Sequence, residues 1–213
     1  RGPPQGTQMA NVQHAALTTT DLHEPKGAAG ASAFEVYVAD GAGSGAWTIS
    51  PQGWGMYADS KTGASDQTVT IAAARLENDG AGAATVITSL PPAIRGSGAL
   101  WDTTNDKITP IEVNDAYVVT LQAVVTSEAT SPTELTVQFD IGGTGAVSNV
   151  VLERYIELGG RTPPYNINVT GGLYVTATML TNGVTIYVKT DAGTVDVNDF
   201  EILINRTHGG TSW

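Results

Sequence analysis

From residue 34 onward, short runs of β-branched and aromatic residues alternate with polar ones, and glycine or proline turns cut them about every ten residues. Leu135-Thr136-Val137-Gln138-Phe139-Asp140-Ile141 shows the pattern well: its odd positions are apolar, and in a strand those side chains share one face. Tyr117 to Thr126 is a long, strongly β-branched run, and Phe34–Val38, Thr68–Ile71, Ala84–Thr88, Val147–Leu158, Leu173–Met179, Val184–Val188 and Val195–Ile204 are others. The breaks carry turn residues: Asn105-Asp106, Gly142-Gly143-Thr144-Gly145, Thr181-Asn182-Gly183 and Asp191-Ala192-Gly193. The Asn-Gly step predicts a hairpin joining 173–179 to 184–188. Glu–Lys pairs at helical spacing are nearly absent, so the reading is about ten strands and no helix. No repeat at a fixed period points to a propeller or solenoid. The expected fold is therefore all-β: a jelly-roll-like antiparallel β-sandwich with an extended N-terminal arm.

Residues 1–33 differ from the rest. Gly2-Pro3-Pro4, Thr18-Thr19-Thr20, Pro25 and Gly27-Ala28-Ala29-Gly30-Ala31 offer too few bulky apolar groups to offset the entropy of ordering. They read as an extended arm that orders on a partner. Residues 34–64 form a linking hairpin or loop, or the first strands, with 51–66 as a surface loop holding Trp54, Met56 and Tyr57. Residues 65–213 make the β-sandwich domain, long enough to bury a core without staples.

There is no cysteine, so no disulfide or thiolate-bound metal contributes. Ten Lys and Arg against 21 Asp and Glu give a net charge of −11. That balance argues against nucleic acid, whose binding depends on neutralised phosphates, and against an anionic membrane surface. No apolar run approaches the ~20 residues of a spanning helix. The acidic residues are scattered and read as a solvated surface.

No catalytic set emerges. His14, His23 and His208 lack the spacing of a zinc site, and no metal is expected. Gly43-Ser44-Gly45 and Gly96-Ser97-Gly98 are turns rather than a nucleophile elbow. Ser60-Lys61-Thr62-Gly63 lacks the glycines of a phosphate loop, so no nucleotide cofactor is expected. Glu153, Glu157, Asp196 and Asp199 are carboxylates that a glycoside hydrolase would need in a facing pair, and Asp191–Asp199 lacks the ligand cadence of a calcium loop. Trp47, Trp54 and Tyr57 are candidates either to anchor the arm on the β domain or to stack on a glycan.

The stretch Leu17-Thr18-Thr19-Thr20-Asp21-Leu22-His23-Glu24-Pro25-Lys26-Gly27-Ala28-Ala29, followed by Val36-Tyr37-Val38-Ala39-Asp40-Gly41-Ala42-Gly43-Ser44-Gly45-Ala46-Trp47, resembles tailed-phage virion proteins of the head-decoration, head-fibre and tail-fibre type. In these a leader of this kind precedes a β domain. The ending Asp199-Phe200-Glu201-Ile202-Leu203-Ile204 resembles that of a trimeric jelly roll. The resemblance implies a non-enzymatic capsid decoration, cement or head-fibre protein on the capsid exterior. Its partners would be the major capsid protein and its own copies, as a homotrimer. Leu17, Leu22, His23, Glu24, Pro25 and Lys26 would belong to the capsid-binding arm. The alternative is a tail-fibre or receptor-binding module that recognises a host surface glycan.

Overall fold

The computed structural model describes residues 35–39, 45–49, 53–60, 66–77, 85–89, 100–126, 134–143, 145–158 and 163–209. The arm, with Leu17, Leu22, His23, Glu24, Pro25 and Lys26, lies outside the described residues. The chain divides into two compact units, Arg1–Thr48 and Ile49–Trp213.

In the first unit, β1 (Glu35–Ala39) pairs with β2 (Gly45–Ile49) as a two-stranded sheet. Tyr37 and Trp47 meet edge to face across it, ring centroids 5.6 Å apart, the arrangement that aromatic quadrupoles favour.

The second unit contains twelve strands and one helix among the described residues. In chain order these are β3 (Gly53–Ser60), β4 (Gln67–Val69), β5 (Ala74–Arg75), β6 (Thr85–Ser89), β7 (Trp101–Asp102), β8 (Lys107–Ile108), β9 (Ala116–Thr126), β10 (Glu134–Asp140), β11 (Val150–Glu157), β12 (Tyr165–Tyr174), α1 (Ala177–Asn182), β13 (Val184–Thr190) and β14 (Val195–His208). They form two six-stranded sheets. Sheet I runs β11-β10-β13-β8-β7 with β5 also on β13, and sheet II runs β12-β9-β14-β3-β6 with β4 also on β14.

The pairing nests. β10 pairs with β11, β9 with β12, and β8 with β13, all antiparallel and all folding back about the turn between β10 and β11. Successive pairs fall in alternate sheets, and β14 closes the outer layer between β9 and β3. A long antiparallel ribbon wrapped in this way is a jelly roll. The unit is thus an all-β, jelly-roll-like antiparallel sandwich.

Alternation builds the core. In β9 the odd residues Tyr117, Val119, Leu121, Ala123 and Val125 are buried, and in β12 Tyr165, Ile167, Val169 and Leu173 are. They meet Leu135, Val137 and Phe139 of β10 and Ile186 and Val188 of β13 in one cluster. Gly171 continues the inward row of β12, where the β11 side chain Leu152 lies over it.

The two sheets differ on their outer faces. In β10 and β13 the outward residues Thr136, Gln138, Asp140, Thr185 and Tyr187 are buried too. Part of that cover is the β10–β11 turn. Asp140, fully buried, accepts backbone N–H bonds from Gly142 (2.8 Å), Ser148 (2.9 Å) and Asn149, which folds the turn back on itself. Such carboxylate-to-backbone bonds are the usual way Asp organises a tight loop. Sheet II instead leaves Gln122, Asn166 and Asn168 exposed on its outer face.

Two local expectations are corrected. Residues 53–60 are not a surface loop but the strand β3, inside sheet II between β14 and β6. Tyr57 is wholly buried, and its hydroxyl accepts the Leu100 N–H at 2.8 Å. Gly53 and Gly55 hide the alternation, because an inward glycine leaves no apolar mark in sequence. Gly55 is needed there: a Cβ would stand 2.6 Å from the Tyr57 oxygen.

The predicted 173–179/184–188 hairpin does not form. β12 ends at Tyr174, the short helix α1 follows, and β13 joins the opposite sheet. Thr176 caps the helix, its Oγ1 accepting the Met179 N–H at 3.2 Å. Gly183 ends it at φ 77°, donating its N–H to the Met179 carbonyl. Asn182-Gly183 is therefore a helix stop.

Candidate functional site

The open outer face of sheet II is built from the even residues of β9 and β12, the outward residues of β14 and those of β3. The registers place them in rows across four strands. Asn168 stands opposite Gln122, Gln122 opposite Glu201, and Glu201 opposite Ala58. One step along, Asn166 stands opposite Val124 and Val124 opposite Asp199. Neighbouring strands lie about 4.8 Å apart, so each row is a ladder of side chains at that spacing. An open groove of about 440 Å³ runs over these residues.

The polar groups of the groove are largely uncommitted. Among the described residues, no hydrogen bond or ion pair ties the side chains of Gln122, Asn166, Asp199 or Glu201 to a neighbour. Asn168 accepts a long bond (3.4 Å) from the Thr170 hydroxyl, which leaves its NH₂ group projecting. Thr170 in turn meets the Thr120 hydroxyl at 3.1 Å. The next rows change character: Thr120 faces Leu203 and Leu203 faces Met56, then Val118 faces Asn205 and Asn205 faces Trp54. Trp54 is 41% exposed. The face is thus polar at one end and closes with an exposed indole at the other.

The aromatic candidates separate. Trp54 and Tyr57 lie on one strand but on opposite faces, Trp54 outward and Tyr57 in the core. Trp47 belongs to the β1–β2 unit. The carboxylates named from sequence separate as well. Glu153 and Glu157 sit on β11 in sheet I, whereas Asp196 and Asp199 sit on β14 in sheet II.

Glu153 is bound on the surface: the Tyr155 hydroxyl donates to it at 2.6 Å and the Gln138 amide at 2.6 Å, and these bonds hold its carboxyl below the usual range. The same contact pushes the Tyr155 phenol up. Asp196 accepts the Thr68 hydroxyl at 2.7 Å. Of the four, Asp199 alone faces the groove, and its neighbour there is Glu201.

No protein-family model matches the chain, and no curated protein matches it. Several solved structures align with the chain at low similarity. One is the PRD1 vertex protein P5, at 8% identity over 84% of each chain and a TM-score of 0.47. Eiger TNF from S. frugiperda matches at 11% identity and a TM-score of 0.40, over 75% of this chain and 96% of that one. The infectious bursal disease virus VP2 subviral particle matches at 12% identity and a TM-score of 0.30, over 82% of this chain and 38% of that one. At such identities and TM-scores none of the three decides a function.

The sequence carries little mark of the groove residues Gln122, Asn166, Asn168 and Glu201. A partial signal was there: Asn166, Asn168 and Thr170 occupy the outward positions of an alternating strand. Their meeting with Gln122 and Glu201 depends on which strands pair, and alternation alone does not specify that.

Among the described residues no group of three or more His, Cys, Asp or Glu is placed to hold a metal ion. A buried ionic cluster does exist. Asp115 joins Arg206 at 2.6 Å and Tyr117 at 2.7 Å, enclosed at one end of the sandwich. Arg206 also reaches Glu112 Oε2 at 3.7 Å, and Asp115 and Tyr117 accept the Glu112 and Ile111 N–H groups, so the cluster serves itself and nearby backbone and is structural.

Proposed function

We propose that the chain is a structural protein of a tailed-phage virion that decorates the capsid exterior as a symmetric homo-oligomer, a homotrimer by its resemblance to trimeric jelly rolls. One observation carries this reading. The boundary between the two compact units falls at Thr48/Ile49, directly after the stretch Leu17–Trp47 that resembles the leader of phage head and tail proteins. We read the leader as an attachment module joined to the jelly roll, which has its own core. An attachment module joined to a self-contained β body is what adhesion to a repeating shell requires.

The physics of each part agrees. An apolar-poor arm that orders on binding can wrap a large surface. Its Thr-rich segments suit addition to an exposed sheet edge of a shell protein. Closed symmetry then lets one oligomer bridge several shell subunits. The acidic balance of −11 keeps such a body soluble and away from packaged nucleic acid.

Gold-labelled antibody imaging of intact virions tests the reading: label spread over the head is expected, and label confined to the tail overturns it. A second test removes residues 1–33. The remaining chain is expected to fold as a β oligomer and to lose its hold on capsid shells in co-sedimentation.

A further inference from the structure

From the outer face of sheet II we infer a second binding site, a groove for a neutral oligosaccharide, framed by Asn166, Asn168, Gln122, Asp199 and Glu201 and ended by Trp54. This inference does not depend on the virion reading.

The chemistry of the groove selects the ligand class. A sugar hydroxyl both donates and accepts, and a carboxamide answers both roles from one planar group. Three carboxamides stand on neighbouring outward positions, two of them free and the third with its NH₂ group projecting. Asp199 and Glu201 add acceptors on the adjoining strand.

The residues around the groove include no Lys, Arg or His, so a phosphate, sulfate or carboxylate ligand would meet only like charge. A metal ion is opposed by the charge count, since among the described residues no group of three or more His, Cys, Asp or Glu gathers here. The mixed donors and acceptors suit a ligand that is neutral and rich in hydroxyls.

The rest of the face fits a chain of such units. Ala58, on the groove floor, and Trp54 are outward residues four apart on β3, so about 13 Å separates the polar end from the indole. The exposed indole offers a flat apolar surface for the C–H face of a ring. Leu203 and Met56 between them give an apolar bed. Because both ends rest on one sheet, the contacts are held on a rigid scaffold.

The test is a glycan array probed with the full chain, then titration of the strongest neutral oligosaccharide by saturation-transfer NMR. Neutral oligosaccharides are expected to bind, and sialylated or sulfated ones to stay silent. Gln122→Ala with Asn168→Ala is expected to weaken binding about tenfold or more, which is about 1.4 kcal/mol. Glu201→Gln keeps the shape and is expected to weaken it as well, while Trp54→Ala acts on longer oligosaccharides only. The thermal unfolding of these surface variants should match the parent.

A blank array, or binding that survives both Gln122→Ala with Asn168→Ala and Glu201→Gln, overturns the inference. So does a blank array combined with dissociation of an oligomer by the double variant in sedimentation velocity, which would assign the face to a second copy of the chain.

Discussion

Arg206 of β14 holds Asp115 in a two-pronged ion pair, Nη2 to Oδ1 at 2.6 Å and Nε to Oδ2 at 3.0 Å, with Asp115 fully buried and Arg206 6% exposed. Asp115 Oδ2 also accepts the Tyr117 hydroxyl at 2.7 Å and the Glu112 N–H at 3.2 Å. Its backbone carbonyl accepts the Val175 N–H at 2.8 Å. One residue thus ties the start of β9 to the end of β14 and to the segment that follows β12.

A buried carboxylate left without its cation is far costlier than the pair is stabilising. Arg206→Ala is therefore expected to lower stability by about 3–5 kcal/mol. Replacing both partners, as Asp115→Asn with Arg206→Met, is expected to cost clearly less than Arg206→Ala alone. Urea unfolding of the three proteins measures this, read as a midpoint shift at constant slope. A loss below about 1 kcal/mol for Arg206→Ala would place the pair with exposed salt bridges and refute the assignment.

Tyr117 supplies a pH signature. Burial pushes its phenol above the ordinary value of 10.0, and the hydrogen bond to Asp115 pushes in the same direction. The folded state then keeps a proton that the unfolded state releases. Stability is fully present below about pH 10 and falls as pH rises through the window above it. Tyr187, raised by burial and by Asp140, adds to the same slope. Tyr117→Phe is expected to flatten the fall of the urea midpoint above pH 10. An unchanged slope would show that the phenol ionises as freely in the fold as out of it.

The readable and unreadable parts of the chain divide along physical lines. β9, β10 and β13 were legible because apolar residues recur at every second position, and β14 because it keeps that period on either side of the bulge between Val197 and Asp199; burial on one face is what alternation encodes. β3 was not, since Gly53 and Gly55 stand where side chains would have shown the period. α1 was not, because six residues are too few to display a helical period, and its stop imitates a hairpin turn. The groove is assembled from residues 58 to 201, and only strand pairing brings them together. Gln122 alone in a β-branched run gives no hint of Asn168 and Glu201 on either side.

Gly183 makes the helix stop measurable. Its φ of 77° and ψ of −169° lie in a region that side-chain-bearing residues almost never adopt. A Cβ there would also stand 2.7 Å from the Ile108 carbonyl oxygen, which belongs to the backbone of β8 and has no freedom to retreat. Gly183→Ala is expected to cost about 1–3 kcal/mol from the backbone alone, with the clash adding to it. Gly172→Ala is the control, because its position on β12 opens to empty space. It is expected to stay within about 0.5 kcal/mol of the parent. Equal unfolding midpoints for the two variants would contradict the helix-stop geometry.

Gly171 tests how the two sheets close over one another. A Cβ at this position would fall 2.0 Å from Leu152 Cδ2, so the β11 side chain occupies the space that a larger β12 residue would take. The obstacle is the end of a half-buried side chain, and it can move at the expense of its packing. Gly171→Ala is expected to lose about 1–3 kcal/mol through overpacking. Leu152→Ala alone loses packing against the core as well. If the two residues share one volume, the double variant recovers part of the loss. A double-mutant cycle is then expected to show a coupling of about 1 kcal/mol or more, with the sign of rescue. Strict additivity would mean that β11 does not lie over Gly171, and the closure of the jelly roll at this edge would have to be drawn differently.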